Sequence, residues 1–392
     1  MPSVKTVVVV GAGIAGYTAA LALRKAGIGA SVYEAYANAA DGIGGLLALA
    51  PNGQSALRIV DVEPNELGQP VDRFVSCRHD GAIVHEFAGI AGLPPTRLVR
   101  RAELYTKLRD LARSRDIPIE HGKRLVSVDE SGDGGVVTAR FADGTSARGD
   151  VLVGADGIDS VVRRLIDPAS PDAKYAGYLA FNGFTDLVVP SRPNALNFVS
   201  GKRAVHGFWA EATGGSGWFA NLPWETPLTL GEARKQSSSE WLRILRDVYG
   251  DDVPGGDLVR ATTPERLLVY GAIKLTPPLA TWHRGRMVLA GDSAHAPSSS
   301  TGQGASLAAE SGVELARCLR DMDDVETAFT AYEGSRRPRC AKIADMAAKL
   351  NKRRALGARA APSGEPPTDD SAQEHETFSF QHGYTIDWSA TA

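Results

Sequence analysis

The chain has 392 residues, of which 43% are hydrophobic and 23% are charged, and its formal net charge is −3. This length predicts two or three domain-sized cores, and the balanced charge gives no reason to expect nucleic acid or an anionic membrane as a partner. The three cysteines, Cys77, Cys318 and Cys340, form no CxxC pair, which argues against a disulfide framework and against a bound metal such as zinc.

The first predicted element is a strand over Thr6–Val10, a continuous β-branched run typical of a strand buried on both faces of a sheet. The run is too short for a signal-peptide core, and no later segment approaches the roughly 20 apolar residues of a membrane helix. We therefore expect a cytoplasmic protein, a monomer or homodimer, with no membrane partner.

A glycine loop, Gly11-Ala-Gly-Ile-Ala-Gly16, follows this strand, and an Ala- and Leu-rich helix over 14–26 and a second strand over 30–34 come next. A pyrophosphate needs bare backbone N–H groups at close range, which glycines permit, and the helix N-terminus adds partial positive charge. We interpret the segment as a Rossmann-type βαβ unit. Its predicted phosphate cradle consists of Gly11, Gly13, Ile14, Ala15 and Gly16.

Glu34 ends the second strand, 18 residues after Gly16. A carboxylate at this place accepts hydrogen bonds from a ribose 2′-hydroxyl and repels a 2′-phosphate. Strand, loop, helix and acid together predict a bound dinucleotide, but they do not separate NAD from FAD.

Segments 73–96 and 174–275 alternate aromatic and polar residues, with frequent glycine and proline, which is typical of antiparallel sheet. One helix is predicted within them, over 238–249. Their aromatic residues favour an apolar, cyclic ligand, because buried apolar surface provides most of the binding, although alternation places about half of them on the other face of the sheet. The aromatic residues concerned are Phe181, Phe184, Phe198, Phe208, Trp209, Trp218 and Phe219.

Two further stretches carry acids at the ends of predicted strands. Asp150-Val-Leu-Val-Gly-Ala-Asp-Gly-Ile-Asp-Ser-Val-Val-Arg163 predicts a buried strand that delivers Asp156 and a helix capped by Ser160 or Asp159. Ala290-Gly-Asp-Ser-Ala-His-Ala-Pro-Ser-Ser-Ser-Thr-Gly-Gln-Gly304 follows a buried strand over 285–290 and leads through a turn at Pro297 into a small-residue helix.

These motifs, together with Arg101-Ala-Glu-Leu104 and Leu108, resemble the class A flavoprotein monooxygenases, the family of para-hydroxybenzoate hydroxylase, over roughly residues 1–350. The resemblance implies FAD as a resident cofactor, with Asp292 hydrogen-bonded to the ribityl chain. It also implies that the helix start at 302–304 faces the flavin N1–C2 carbonyl edge, where a helix N-terminus stabilises an anion by about 0.3–2 kcal/mol.

The resemblance implies that Arg101 touches the FAD, although the adjacent Arg100 could take that role, and a surface ion pair is the alternative. In the family the Asp156 stretch is tied to both FAD and NAD(P)H binding, with helix capping as the plainer interpretation. The other cofactor contacts implied by the matched motifs are Gly157, Arg163, Gly291, Pro297, Gly302, Gln303 and Gly304.

The implied fold class is α/β, with a Rossmann-type FAD-binding domain, an inserted, mostly antiparallel β-sheet substrate domain and a C-terminal helix. Five rings stand within eleven residues near the C-terminus, at Phe378, Phe380, His382, Tyr384 and Trp388, and we expect this tail to dock. The expected bounds are 1–72, 97–173 and 276–322 for the FAD-binding domain, 73–96 and 174–275 for the substrate domain, 323–356 for the helix, and 357–392 for a linker (to 373) and the aromatic tail.

The resemblance further implies that NADH or NADPH reduces the FAD and leaves. Dioxygen then adds at flavin C4a, and the hydroperoxyflavin delivers one oxygen atom to an aromatic or polyketide-like substrate. A phenolic substrate would gain from a base or hydrogen-bond partner that favours its phenolate. The candidates are His85, Tyr178 and His206 in the predicted substrate-domain strands, and each has a structural role as its alternative.

Other functions stay open at this point. Epoxidation or Baeyer–Villiger insertion uses the same fold, and a related FAD-dependent reductase, similar to the geranylgeranyl reductases, would saturate double bonds without oxygen. A FAD-bearing binding protein that sequesters a hydrophobic metabolite is the non-enzymatic alternative.

Overall fold

The computed structural model describes residues 3–37, 45–130, 135–357 and 371–392. Residues 358–370, most of the predicted linker, lie outside the described residues. The structure corrects the C-terminal limit of that linker, because a helix begins at Ser371, where good helix formers replace the preceding proline-rich sequence.

The strands pair into sheets with both parallel and antiparallel neighbours. In chain order they are β1 (Thr6–Val10), β2 (Gly29–Glu34), β3 (Leu46–Leu49), β4 (Gln69–Val71), β5 (Arg73–Arg78), β6 (Ile83–Ala88), β7 (Thr96–Arg100), β8 (Ile119–His121), β9 (Leu125–Asp129), β10 (Val137–Phe141), β11 (Ser146–Gly149), β12 (Val151–Gly154), β13 (Lys174–Thr185), β14 (Ala195–Ser200), β15 (Val205–Ala210), β16 (Ser216–Pro223), β17 (Leu267–Leu275), β18 (His283–Arg284) and β19 (Met287–Leu289).

The α-helices range from single turns to a 33-residue helix near the C-terminus. In chain order they are α1 (Ile14–Lys25), α2 (Pro51–Ile59), α3 (Arg101–Ser114), α4 (Val161–Ile166), α5 (Leu230–Ala233), α6 (Ser238–Tyr249), α7 (Gly255–Ala261), α8 (Asp292–His295), α9 (Gly304–Asp321), α10 (Val325–Gly357) and α11 (Ser371–His382).

A six-stranded sheet in the order β18-β19-β12-β1-β2-β8 forms the centre of the first domain. β1 pairs in parallel with both β2 and β12, which confirms the predicted βαβ unit. Val9, Val153 and Val288 are completely buried in one continuous core, because α1, α9 and the small sheet of β9, β10 and β11 enclose these strands. This double covering explains the unbroken apolar runs in the sequence.

A seven-stranded sheet in the order β17-β13-β16-β15-β14-β5-β6 joins strands from two separate parts of the chain. Its pairs are antiparallel except for β14 with β5. α6 and α7 cover one face, where the buried aromatic residues are Phe181, Phe208 and Trp218. The opposite face, which we call the inner face, turns towards the first domain and carries Phe184, Phe198, Trp209 and Phe219. Alternation therefore divides the predicted aromatic residues between the two faces.

A small antiparallel sheet in the order β3-β7-β4 connects the two domains. Leu46 and Ala48 of β3 pack into the apolar cluster of the inner face. A Cβ built on Gly302 would lie 3.1 Å from the Ala48 Cβ, so β3 also touches the turn that precedes α9. The β3 strand thus lies between the inner face and the second glycine motif and contacts both.

The C-terminal tail docks on the first domain, as its ring content predicts. Phe380, Tyr384 and Trp388 all pack against the core of that domain. In the part of the chain that the structure describes, no helix has both the length and the apolar character needed to cross a membrane.

Candidate functional site

Two glycine motifs separated by 275 residues of sequence meet in the structure. A Cβ on Gly291 would lie 2.5 Å from the Ala15 Cβ, and a Cβ on Gly312 would lie 2.7 Å from the backbone nitrogen of Ala19. The Gly312 contact shows that helices α1 and α9 cross in direct backbone contact, and the Gly291 contact places the start of the second motif against α1; only glycine permits approaches this close. The start of the second glycine motif therefore lies against the predicted phosphate loop.

Glycine is needed at the three positions of the first loop for different physical reasons. Gly11 has φ +103° and its Cβ would lie 2.3 Å from the Ala155 carbonyl oxygen, while a Cβ on Gly16 would lie 1.9 Å from the Gly11 carbonyl oxygen. At both positions the protein's own backbone leaves no space for a side chain. Gly13 has open space where its Cβ would point, at the N-terminus of α1. The chain leaves room there for a group that approaches the backbone closely, so the loop fits a pyrophosphate.

Glu34 reaches back from the end of β2 to the same loop. Its carboxylate accepts hydrogen bonds from the backbone N–H of Ala12 at 2.8 Å and of Tyr36 at 3.0 Å. These contacts hold the carboxylate beside the cradle, where the sequence predicts a ribose contact.

The second motif ends in a left-handed turn and an 18-residue helix. Gly302 has φ +63°, and Gln303 is the N-cap of α9. The Gln303 side chain is completely buried, and its Oε1 accepts a 2.9 Å hydrogen bond from Asn52 Nδ2. Its Nε2 has no hydrogen-bond partner within the described ranges. Since buried polar groups are nearly always satisfied, this amide at a helix N-terminus fits a ligand carbonyl.

Asp292 opens the short helix α8, directly after the Gly291 contact with α1. Burial raises the pKa of its carboxyl, while the positive charge of Arg101 acts in the opposite direction. Among the residues that the structure describes, no donor reaches this carboxylate. Arg100 lies elsewhere, 4.4 Å over the Phe184 ring and 3.5 Å from Glu211. Of the two adjacent arginines, it is thus Arg101 whose charge reaches Asp292.

The Asp156 stretch has the capping role that the sequence left as an alternative. Asp156 accepts hydrogen bonds from the Ser160 hydroxyl and from the backbone N–H of Val161 and Val162, and Ser160 caps α4. The buried Arg163 donates to the Ser293 carbonyl at 3.1 Å, which ties this turn to α8. A Cβ on Gly157 would meet open space.

The three candidates for substrate activation lie in different places. The Tyr178 hydroxyl is 2.9 Å from the Ser299 hydroxyl in the turn before α9. His85 lies opposite Ser76 on the β5–β6 hairpin at the edge of the sheet. Tyr178 is therefore the candidate that the structure brings to the second motif.

His206 does not reach the inner face. Its ring packs 5.3 Å from the Tyr249 ring, under the covering helices, and its Nδ1 is 3.7 Å from Asp252. Burial lowers its pKa to about 4. We correct the sequence interpretation for this residue, because alternation along β15 turns it towards the helix-covered core.

Two polar residues of the inner face were absent from the sequence analysis. Asn182 Oδ1 accepts a hydrogen bond from the Leu46 N–H at 3.3 Å, and the buried Tyr270 hydroxyl has no partner within the described ranges. A Cβ on Gly45 would lie 2.6 Å from Asn182 Oδ1 and 2.8 Å from the Tyr270 hydroxyl. An asparagine inside the aromatic strand 178–184 was the available signal.

Comparisons with known proteins agree with this arrangement. Residues 276–347 match the family model described as FAD binding domain. The chain is 30% identical over 363 residues to an FAD-dependent urate hydroxylase of Klebsiella pneumoniae, with 88% of each chain covered. It is also 30% identical over 365 residues to 6-hydroxynicotinate 3-monooxygenase of Pseudomonas fluorescens, covering 86% of this chain and 89% of that protein.

The same likeness holds in three dimensions. The crystal structure of Klebsiella pneumoniae HpxO complexed with FAD and uric acid superposes with a TM-score of 0.76 at 25% identity, covering 97% of this chain and 93% of that one. Sequence, fold and the two glycine motifs therefore lead to one family. The chain belongs to the class A FAD-dependent monooxygenases, the aromatic-hydroxylase-like family.

Proposed function

We propose that this protein is a single-component monooxygenase that uses FAD, NAD(P)H and dioxygen to hydroxylate an aromatic or polyketide-like substrate. We base this on one observation above all, the meeting of the two glycine motifs beside the inner face of the seven-stranded sheet. The named activities of the urate and 6-hydroxynicotinate enzymes support a ring-shaped substrate, and the aromatic residues of the inner face suit one.

Five residues at this meeting point would hold the FAD. Gly13 has open space at its Cβ and Gln303 has an Nε2 that is unpartnered among the described residues, while Glu34, Arg101 and Asp292 supply the charges. Bound FAD supplies the redox chemistry, since it takes up two electrons from NAD(P)H and activates dioxygen. The N-terminus of α9 favours negative charge next to Gln303. The apolar inner face keeps water from the reacting atoms.

Tyr178 is our candidate for orienting the substrate. Its hydroxyl already forms a hydrogen bond with Ser299, next to the flavin-edge turn, so it can accept a hydrogen bond from a phenolic substrate or donate one to it. The Tyr270 hydroxyl, buried and unpartnered among the described residues, offers a second polar contact on the same face.

Oxygen consumption tests the proposed reaction directly. Purified holoprotein is mixed with NADH or NADPH in an oxygen electrode, and a panel of phenols and polyketides is added. We expect at least one compound to stimulate oxygen uptake, with one oxygen atom appearing in its product by mass spectrometry. Stimulated NAD(P)H oxidation that yields a reduced product and uses no oxygen would instead establish the reductase alternative.

Asp292→Ala is expected to give a folded but weakly flavinated protein. The change removes an acceptor for the ribityl hydroxyls, and hydrogen bonds to charged groups contribute about 1.5–3 kcal/mol, so FAD affinity should fall roughly 10- to 150-fold. FAD-to-protein absorbance after gel filtration measures the effect. Asp186→Ala, which removes an exposed carboxylate paired with Arg266, is the control and should stay fully yellow. An Asp292→Ala protein with full FAD content and normal turnover would remove Asp292 from the site.

A further inference from the structure

The C-terminal helix α11 contacts the substrate sheet through the rings of Phe378 and His375, the His375 centroid lying 6.4 Å from that of Phe87. Phe378 packs 4.4 Å from the Phe87 ring and 5.3 Å from the Phe74 ring, measured between centroids. Phe74 and Phe87 lie directly opposite each other on β5 and β6. Phe378 therefore covers a cross-strand aromatic pair at the edge of the seven-stranded sheet.

This aromatic pair continues the apolar surface of the inner face. Phe74 packs in the same cluster as Phe198 and Phe219, and that cluster also includes Leu46 and Ala48 of β3. Ala48 in turn touches the turn at Gly302. An unbroken apolar surface thus runs from the proposed flavin edge to Phe378.

The helix that carries Phe378 is fixed to the other domain. Arg339 of α10 donates 2.9 Å hydrogen bonds to the carbonyl oxygens of Phe380 and Gln381, in the last turn of α11, where helix carbonyls attract a cation. The same guanidinium lies 4.1 Å from the Tyr384 ring and is paired with the buried Glu310. Because Arg339 holds α11 and the sheet holds the aromatic pair on β5 and β6, packing sets the position of Phe378 relative to the inner face.

We propose that α11 forms the far wall of the substrate site and that Phe378 sets the length of the ring system that the site accepts. This inference rests on the proposed function, in that it assigns the inner face to the substrate. A flat aromatic ligand that extends away from the flavin edge meets the Phe378 ring at its far end. Removal of that ring leaves room for about one more fused ring.

The test measures ligand binding to the oxidised holoprotein without any reductant. The probes are 2-naphthol and 2-hydroxyanthracene, and their dissociation constants are read from changes in the flavin absorption spectrum. We expect Phe378→Ala to improve binding of the three-ring probe relative to the two-ring probe by about tenfold, the scale on which a hydrophobic pocket discriminates between ligands of different size. Phe378→Trp should shift the ratio in the opposite direction.

Phe380→Ala is the matched control, since Phe380 lies on the same helix but packs on Arg339 and Lys342 of α10. It should destabilise the tail without changing the probe ratio. The proposal that Phe378 bounds the substrate site would be wrong if Phe378→Ala and Phe380→Ala gave equal ratios of the two dissociation constants. It would also be wrong if the flavin of Phe378→Ala responded to neither probe. Phe378→Trp is expected to change the probe ratio in the direction opposite to Phe378→Ala. A general loss of stability would not produce opposite changes in the two variants. Failure of the proposed hydroxylation would be seen in a different measurement, because the wild-type protein would then show no substrate-stimulated oxygen uptake.

Discussion

Gly13→Ala is expected to produce a folded protein that loses most of its FAD during purification. The backbone of Gly13 is extended, with φ −80°, and its Cβ would meet no protein atom within 4 Å, so an alanine fits the apoprotein. The same methyl group would occupy the space that the pyrophosphate needs. Overpacking of this kind costs about 1–3 kcal/mol, which weakens FAD binding roughly 5- to 150-fold.

The measurement is the dissociation constant for FAD, by quenching of flavin fluorescence during reconstitution of the apoprotein. Gly334→Ala is the matched control, because Gly334 also has open space around its Cβ but lies within α10, away from the glycine loops. It should bind FAD normally. Gly16 cannot serve, since a Cβ there would collide with the Gly11 carbonyl and disrupt the loop itself. Normal affinity in Gly13→Ala would mean that the pyrophosphate lies elsewhere.

Glu310→Gln is expected to destabilise the fold more than any surface change. Glu310 is completely buried on α9 and pairs with Arg336 at 2.5 Å and with Arg339 at 2.9 Å. It also accepts a 2.6 Å hydrogen bond from Asn52. The two guanidiniums hold the pKa of Glu310 below its usual range despite burial. An uncharged side chain leaves two buried arginines without their counter-charge.

Loss of one partner from a buried ion pair costs about 3–5 kcal/mol. With an unfolding entropy of about 2.1 cal/mol/K per residue, this lowers the melting temperature by about 5 °C in a chain of this length. Thermal unfolding of the flavin-free proteins gives the comparison. Glu240→Gln is the control, because its ion pair with Arg243 is exposed and is worth about 1 kcal/mol or less. Similar melting temperatures in both variants would show that the cluster is not stabilising.

Local sequence signals predicted one element in each domain with its exact bounds. The β-branched run Thr6–Val10 became β1 of the first domain, and the helix over 238–249 became α6 of the substrate domain. Each element is specified by its own periodicity, and α6 also by its cap, Ser237. The fold class followed, because the order of such elements along the chain limits the possible topologies.

Other features depended on contacts between distant residues. Alternation in β15 indicated that some side chains lie on the inner face and others on the helix-covered face, but it did not fix which, and His206 is buried on the helix-covered face against Tyr249. The four-residue strand β3 pairs with β7, about fifty residues later, and nothing local specifies that pairing. The placement of Phe378 against Phe87 similarly requires the folded arrangement of both domains.

The central position of β1 also matters while the chain is being synthesised. Its neighbour β12 and the covering helix α9 come from residues near 150 and beyond 300, so the apolar sides of the first strand and helix stay uncovered until late in translation. Such surfaces are targets for chaperones and starting points for aggregation. The residues proposed to hold the flavin extend from Gly13 to Gln303, so the cofactor site is complete only after about three quarters of the chain has been synthesised.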